Sequence, residues 1–431
     1  MSQQTASKTL PDLPRWEQVP DDVHAAIREV KDAIRARMAA AGTTPEEVFA
    51  KVEAQIRTEV EQIRAELDRG EQPWPVVDFA DIEAGTVPEE TIQKIKRRGC
   101  AVVRGTFDRA QAEQWDRDIV DYVDANQFFE NYRGPGDDFF DTVDSKPEIY
   151  PIYWSPAQME ARQHPRMAAT QSFMNSFWHG ESEDRTWFDP SRDALYADRI
   201  RRRPPGTDSS GLGTHIDAGT LDLWMTGAYQ QAFDALYRGD VEAYDPWDAS
   251  YRTEGNQYPG TTMTSVFRTF QGWTALSEME PDQGVLHTVP IPGAMAYLLL
   301  RPLLDDVPAD DMCGVRVSRT FPINEQWHPL LMQAVVPIPA VAPGDTVWWH
   351  CDMIHAVGAV TDQQGWGNVM YIPAAPWCAK NEAYAEPQLA AFKAGLSAPD
   401  FPDEHYEADW DNRFRFDQLN ATGRRGFGIN D

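Results

Sequence analysis

The segment Gly213-Thr214-His215-Ile216-Asp217-Ala218-Gly219 carries residues whose types and spacing suit metal chemistry. On an extended strand the side chains at i and i+2 point to one face, so His215 and Asp217 can offer an imidazole nitrogen and a carboxylate oxygen to a single ion. A third ligand is then expected from a distant strand. The stretch from Pro343 to Gly358 supplies two histidines, His350 and His355. Their spacing of five is odd, so on a continuous strand they face opposite ways, and only one is expected to bind metal. Two imidazoles and one carboxylate on one face of a metal leave the opposite positions open, the ligand pattern of non-haem Fe(II) oxygenases. Such a centre can take a bidentate keto acid and then O2.

Other residues have a functional reading beside a plainer one. His287, in Val285-Leu286-His287-Thr288, either faces a cavity or is a satisfied core or surface histidine, and the second is expected. Trp154, Asn175, Trp178 and Trp224 are candidates for a substrate pocket, although tryptophan mostly packs. Asp222 reads as a solvated or hydrogen-bonded acid. Cys351-Asp352 beside His350 suggests a second ligand set, which a lone thiolate supports poorly.

Around these residues the chain changes texture twice. Two amphipathic helices open it. Val23, Ile27, Val30, Ile34 and Met38 recur at helical steps, and Thr44-Pro45-Glu46-Glu47 reads as a cap before Val52, Ile56, Val60, Ile63 and Leu67. Short mixed elements follow: Pro75 to Phe79, a helix from Glu89 to Lys96, the run Cys100 to Gly105, a helix from Gln111 to about Val123, and helix again from Pro156 to Asn175 with a break at Pro165. Beyond them come short runs of β-branched and aromatic residues between Gly, Pro and Asp turns. Strands are expected at Ser265–Leu276, Gly284–Val289, Leu331–Ile338, Thr346–His350 and Asn368–Ile372, a pattern that suggests an antiparallel sandwich or barrel. Helix returns from Asn381 to Leu396.

Composition limits the possible partners. Lys and Arg number 39 against 68 Asp and Glu, a net charge of −29, which disfavours both nucleic acid and anionic membrane surfaces. The four cysteines, Cys100, Cys313, Cys351 and Cys378, form no C-x-x-C pair, so reduced thiols are expected. The amino-terminal stretch has no apolar signal core, and the longest apolar run, Ala294–Leu300, is far short of the ~20 residues of a membrane span. A soluble, cytoplasmic protein acting on a small molecule is the expectation, with oligomeric state left open.

The order G-x-H-x-D, then Trp273-Thr274-Ala275-Leu276, then Asp282-Gln283-Gly284 through Val289-Pro290, then Gly344-Asp345-Thr346 through His350 and His355-Ala356-Val357-Gly358, resembles the phytanoyl-CoA dioxygenase-like branch of the Fe(II)/2-oxoglutarate-dependent oxygenases. More closely the chain resembles a large family of uncharacterised proteins within that group, through Tyr153-Trp154-Ser155-Pro156, Asp198-Arg199-Ile200-Arg201, Arg268 to Trp273 and Tyr371 to Pro376. The resemblance implies a mainly β protein with helical extensions around a double-stranded β-helix (jelly-roll, cupin-like) core. The resemblance spans about Val76 to Pro402, and with the change of texture at Trp74 it gives a helical extension over 1–73 and an oxygenase domain over 74–431 that ends in a helical segment. It implies Fe(II) held by His215, Asp217 and His355, with His350 a strand residue, and 2-oxoglutarate and O2 as cosubstrates. The implied reaction oxidises, most simply hydroxylates, a small organic substrate with release of succinate and CO2; desaturation or cyclisation is open to the same site. One departure stands out: such oxygenases often carry an Arg about ten residues beyond the distal histidine, and Thr361 to Tyr371 holds no Arg or Lys. The distal carboxylate of 2-oxoglutarate needs a fork-like cation. Arg268, on an expected inner strand beside Gln271 and Trp273, is the first candidate and Gln271 is read with it; Arg201 and Arg203 are held in reserve. A cupin-like isomerase or hydrolase that uses the same ligands without the keto acid is the alternative.

Overall fold

The structure is a computed structural model describing residues 10–134, 148–182, 185–259 and 263–429, so residues 1–9 of the amino-terminal stretch read above lie outside it. The two opening helices form as the periodicity predicts, α1 over Val23–Ala40 and α2 over Pro45–Asp68. The Asp22 side chain accepts from the Ala25 N–H, and Thr44 and Glu47 close a capping box around Pro45 in the first turn. Their apolar stripes, Ile27 to Met38 and Val48 to Ile63, are buried in the same cluster as Trp273, Val347 and Val369 of the main sheet. Each large side chain buried in this way contributes about 1.5–3 kcal/mol. The apolar run Ala294–Leu300 is a buried helix, α3, whose Tyr297 ring lies 4.7 Å from that of Phe49. No helix among the described residues is long and apolar enough to cross a membrane.

Eight short strands build the site: β1 (Ile200–Arg201), β2 (Leu212–Ile216), β3 (Phe270–Ala275), β4 (Leu286–Thr288), β5 (Val336–Pro337), β6 (Thr346–His350), β7 (His355–Val357) and β8 (Val369–Tyr371). A seven-stranded sheet runs β6-β3-β8-β1 through its centre and is extended by Val76–Asp78 and Cys100–Arg104 on one side and by Ile149–Tyr150 on the other. A five-stranded sheet runs β5-β4-β7-β2 and ends at Phe321–Pro322. Alternation along β3 is strict: Gln271, Trp273 and Ala275 face the second sheet, while Phe270 packs outward under the helices. Gly272 is required there, since a Cβ would come within 2.7 Å of the Trp348 ring on β6.

Three expectations need correction. The architecture is mixed α and β, with several sheets and helices spread along the chain, rather than mainly β. Leu331–Ile338 is not one strand: Pro329 starts a helical turn over Pro329–Met332, and only Val336–Pro337 pairs with β4. The expected strand Ser265–Leu276 begins at Phe270, because the N–H groups of Ser265 and Phe267 donate to Asp400 and Asn381 side chains instead of to a ladder. The carboxy-terminal helix, α4, spans Ala379–Ala394.

The carboxy-terminal segment is tied to the body through Glu407, which is 1% exposed and accepts from the Tyr122 hydroxyl at 2.7 Å and the N–H groups of Tyr153 and Trp154. Burial pushes its carboxyl up to about 7 against the pull of these donors. The folded state therefore holds the proton more tightly than the unfolded chain, and this contribution is present in full below about pH 4.5 and lost as pH rises through 7. Between pH 6 and 8 wild type is expected to lose stability, on the order of 1–2 kcal/mol, relative to Glu407→Gln, as read by urea unfolding at each pH.

Candidate metal centre

Antiparallel pairing places His215 of β2 directly opposite His355 of β7. Along the same pair Val357 stands opposite Leu212, so three residues of β2 span two of β7 and the extra residue falls at Gly213–Thr214. Such a bulge re-aims the side chains beside it. Gly211, at φ +72°, makes the approach possible, since a Cβ there would lie 2.2 Å from the Val357 carbonyl oxygen. Asp217 sits one residue past the end of β2 and still shares the face of His215. One ligand atom from each of His215, Asp217 and His355 lies within 4.8 Å of the others.

The histidines are preset. Nδ1 of His215 meets the Gly213 carbonyl at 2.6 Å, and Nδ1 of His355 meets that of Met353 at 2.9 Å. A carbonyl only accepts, so each Nδ1 carries the proton and each Nε2 presents a lone pair. Those Nε2 atoms lie 3.5 and 3.3 Å from the two oxygens of Asp217. Burial, with the neighbouring His355, lowers His215 to about 4, so it is neutral near pH 7. Burial alone would raise the Asp217 carboxyl, but the two imidazoles and the more distant Arg268 more than offset it and hold it below the usual carboxylate range. Asp217 Oδ1 is buried without a hydrogen-bond partner. Two preset lone pairs around an orphaned carboxylate oxygen fit a divalent ion of the first transition row.

Gln271 of β3 crosses from the opposite sheet. With its amide turned so that both neighbours are satisfied, its nitrogen donates to Asp217 Oδ2 at 3.1 Å and its oxygen accepts from Trp349 Nε1 at 3.3 Å. That contact would fix the carboxylate's orientation. Arg268 lines the same cavity and makes no hydrogen bond or ion pair with the described residues. Arg201 of β1 also lines it, only 8% exposed, with Nε buried and unpartnered. Arg203 is committed to Glu148 and to the Gly284 carbonyl.

His350, the alternative distal ligand, is committed elsewhere. Its Nδ1 accepts from the Asp352 N–H, its Nε2 meets the Pro246 carbonyl at 3.0 Å, and its ring stacks on Trp178 at 4.5 Å. Asp352 is held by a two-pronged pair with Arg252, so the His350-Cys351-Asp352 group already has its cation. His287 packs over Gly358, away from the cavity. Asp222 accepts from the N–H and hydroxyl of Thr220. Trp154 and Trp224 donate to the carbonyls of Leu396 and Leu299, Asn175 bonds Thr269 and Asp193, and none of the four pocket candidates reaches the cavity wall. The aromatic wall is built by Tyr196, Trp273, Trp349, Tyr371 and Phe401. Of these, Trp273 and Trp349 could have been found by following the strand alternation from Gln271 and Val347. The cavity measures about 630 Å³ and opens on the three candidate ligands.

Two sheets that enclose a His-Asp-His cluster beside a cavity define a protein with a candidate metal site between layers. By sequence the chain belongs to the Gig2-like family, which it matches over residues 21–429. It is 54% identical over 414 residues to the uncharacterized protein YbiU of Escherichia coli K12, across 95% of this chain and 97% of that protein. It is similar to the crystal structure named "Putative Oxidoreductase from Salmonella typhimurium LT2", at 52% identity over 96% of this chain and 99% of that one, with a TM-score of 0.92. It also shares the fold of GIG2 from Candida albicans, at 24% identity over 98% and 91% of the two chains and a TM-score of 0.75.

Anaerobic Mn(II) titration by calorimetry is expected to find one site in wild type and none in His355→Ala, while His350→Phe keeps it. Gln271→Leu is expected to weaken the site about 10- to 100-fold, the usual effect of losing a group that orients a ligand.

Proposed function

We propose that this protein is an Fe(II)- and 2-oxoglutarate-dependent oxygenase of a small organic substrate, and that its two sheets form a double-stranded β-helix. The observation that carries this reading is the convergence of two preset Nε2 atoms on the carboxylate of Asp217, whose buried Oδ1 has no hydrogen-bond partner, at the wall of a cavity. The eight strands divide four and four between the sheets, and the chain crosses from one sheet to the other at every step except β4 to β5, which supports the fold reading. When bound, Fe(II) and 2-oxoglutarate would supply O2 activation coupled to decarboxylation of the keto acid. His215, Asp217 and His355 would hold the ion on one face and leave the cavity side open. Gln271 would keep Asp217 in one orientation, and the apolar side chains of Leu286, Val285 and Trp273 would exclude bulk water.

The register favours Arg201, rather than Arg268, for the far carboxylate of the cosubstrate. Val369 of β8 pairs with Arg201 on one side and with Ala275 on the other, so Arg201 is level with Ala275. That level is four residues, or about 13 Å, along β3 from Gln271, a span that the long arginine side chain and a five-carbon dicarboxylate would share. Arg201 Nη2 also comes within 3.7 Å of a Cβ position on Gly367, in the very segment that lacks a cation of its own. An arginine on the neighbouring strand would thus do the work of the missing one.

Anaerobic addition of Fe(II) and 2-oxoglutarate is expected to give a weak visible charge-transfer band in wild type that His215→Ala and His355→Ala abolish. Arg201→Gln is expected to weaken 2-oxoglutarate binding about 10- to 100-fold by calorimetry while metal binding persists. Bound metal without any band would instead favour the isomerase or hydrolase.

A further inference from the structure

We propose that Arg268 binds an oxyanion of the substrate, which is therefore a small acid bearing a carboxylate or a phospho group. The inference rests on the oxygenase reading above and adds the substrate's class. Two arginines of the cavity, Arg201 and Arg268, have no partner among the described residues, and they flank the metal cluster. Arg201 is level with Ala275, beyond Gln271 in the direction of β3, whereas Arg268 precedes Gln271 and stands with Thr264, Asp400 and Phe401 at the other end. A dicarboxylate anchored by one end at the cluster extends toward one guanidinium and away from the other.

Ion pairing in the cavity leads to the same place. A divalent ion and Arg201 would balance Asp217 and the two carboxylates of 2-oxoglutarate. Asp198 lies 3.8 Å from Arg199, which also stacks on Phe401 at 4.7 Å, whereas Asp400 makes no ion pair and is satisfied by neutral donors, the Tyr196 hydroxyl at 3.0 Å and the Ser265 N–H at 2.8 Å. Arg319 is exposed to water at the rim. Arg268 alone is left as a half-buried cation facing the cavity with no counter-charge within ion-pair distance. Removing a guanidinium from water is costly unless a partner arrives, and its flat fork of donors matches a carboxylate or phospho group. A cavity of about 630 Å³ lies well within the size of sites that hold small molecules, with space beyond a five-carbon cosubstrate.

The test uses the full chain loaded with Mn(II) and saturated with 2-oxoglutarate, each step first followed by calorimetry. Trifluoroacetate, methylphosphonate and, as a neutral control, trifluoroethanol are then added separately, and paramagnetic relaxation of the ¹⁹F or ³¹P nucleus reports binding near the metal. Strong relaxation of at least one anion is expected in wild type, reduced about tenfold in Arg268→Ala and partly restored in Arg268→Lys, with 2-oxoglutarate affinity changed less than about threefold. Whichever anion relaxes more identifies carboxylate or phospho group as the class. Anion relaxation that is unchanged in Arg268→Ala, or no greater than that of trifluoroethanol, overturns the proposal. So does a loss of 2-oxoglutarate affinity in Arg268→Ala as large as in Arg201→Gln, which would put Arg268 on the cosubstrate. Failure of wild type to take up Mn(II) or 2-oxoglutarate appears before any anion is added, and overturns the oxygenase reading and this inference together.

Discussion

Side chains opposite one another in an antiparallel pair share a face, and a slip of one residue sends every side chain of a strand to the other face. The pairing of His215 with His355 therefore decides whether the candidate metal cluster exists. Several features guard that register. The bulge at Gly213–Thr214 absorbs one residue, Gly211 lets the backbone of β2 touch the Val357 carbonyl, and His355 is paired on its other side with Thr288 of β4. A central strand fixed from both sides cannot drift. The Nδ1 contacts to Gly213 and Met353 then turn register into ring orientation.

The second sheet contributes by crossing the gap. Gln271 reaches Asp217 from β3, and Trp349 holds Gln271 from β6, so the carboxylate on one sheet is oriented by a pair on the other. Loss of packing between the sheets would thus loosen the candidate ligand set without touching a ligand. The buried helices α1, α2 and α3 bear on this, because their side chains belong to the same cluster as Trp273, Trp349 and Val369. The amino-terminal helices pack on α3 and other helical segments and share the apolar cluster that reaches the layer that carries Gln271.

Legibility in the sequence followed the strength of the local signal. The long helices with caps at Asp22 and Thr44 were readable because periodicity and capping agree. Thr346–His350 is readable as a strand because four β-favouring residues, Thr346 to Trp349, follow a Gly-Asp turn. Of the strands of two or three residues, Leu286–Thr288, Val336–Pro337 and Val369–Tyr371 are legible only inside longer expected runs, and Ile200–Arg201 is not legible, since so short a run has no period of its own and tertiary pairing decides its bounds. At the site, His215-x-Asp217 was visible from strand geometry, but the choice between His350 and His355 needed either the resemblance or the Asp352 N–H and Pro246 carbonyl that occupy His350. The sequence points to Gln271 beside Arg268 as a cofactor contact, and the structure adds that its amide, once turned, meets Asp217, a neighbour on the other sheet that no sequence spacing reveals.

The same limit explains the missing cation. Searching a fixed distance beyond the distal histidine samples β8 alone, yet a cavity between sheets is reached from any strand whose inward face borders it. β1 pairs with β8, so an arginine at 201 and one in the segment before Val369 would approach the same space from neighbouring backbones. Net charge is an equally poor guide to that space. A chain of −29 repels anions at long range, but at physiological salt that field decays over about 8 Å, and two unpartnered guanidinium groups inside a cavity act over shorter distances with little screening. A net acidic chain and a cavity that presents two guanidinium groups are therefore compatible, because the two fields act over different ranges.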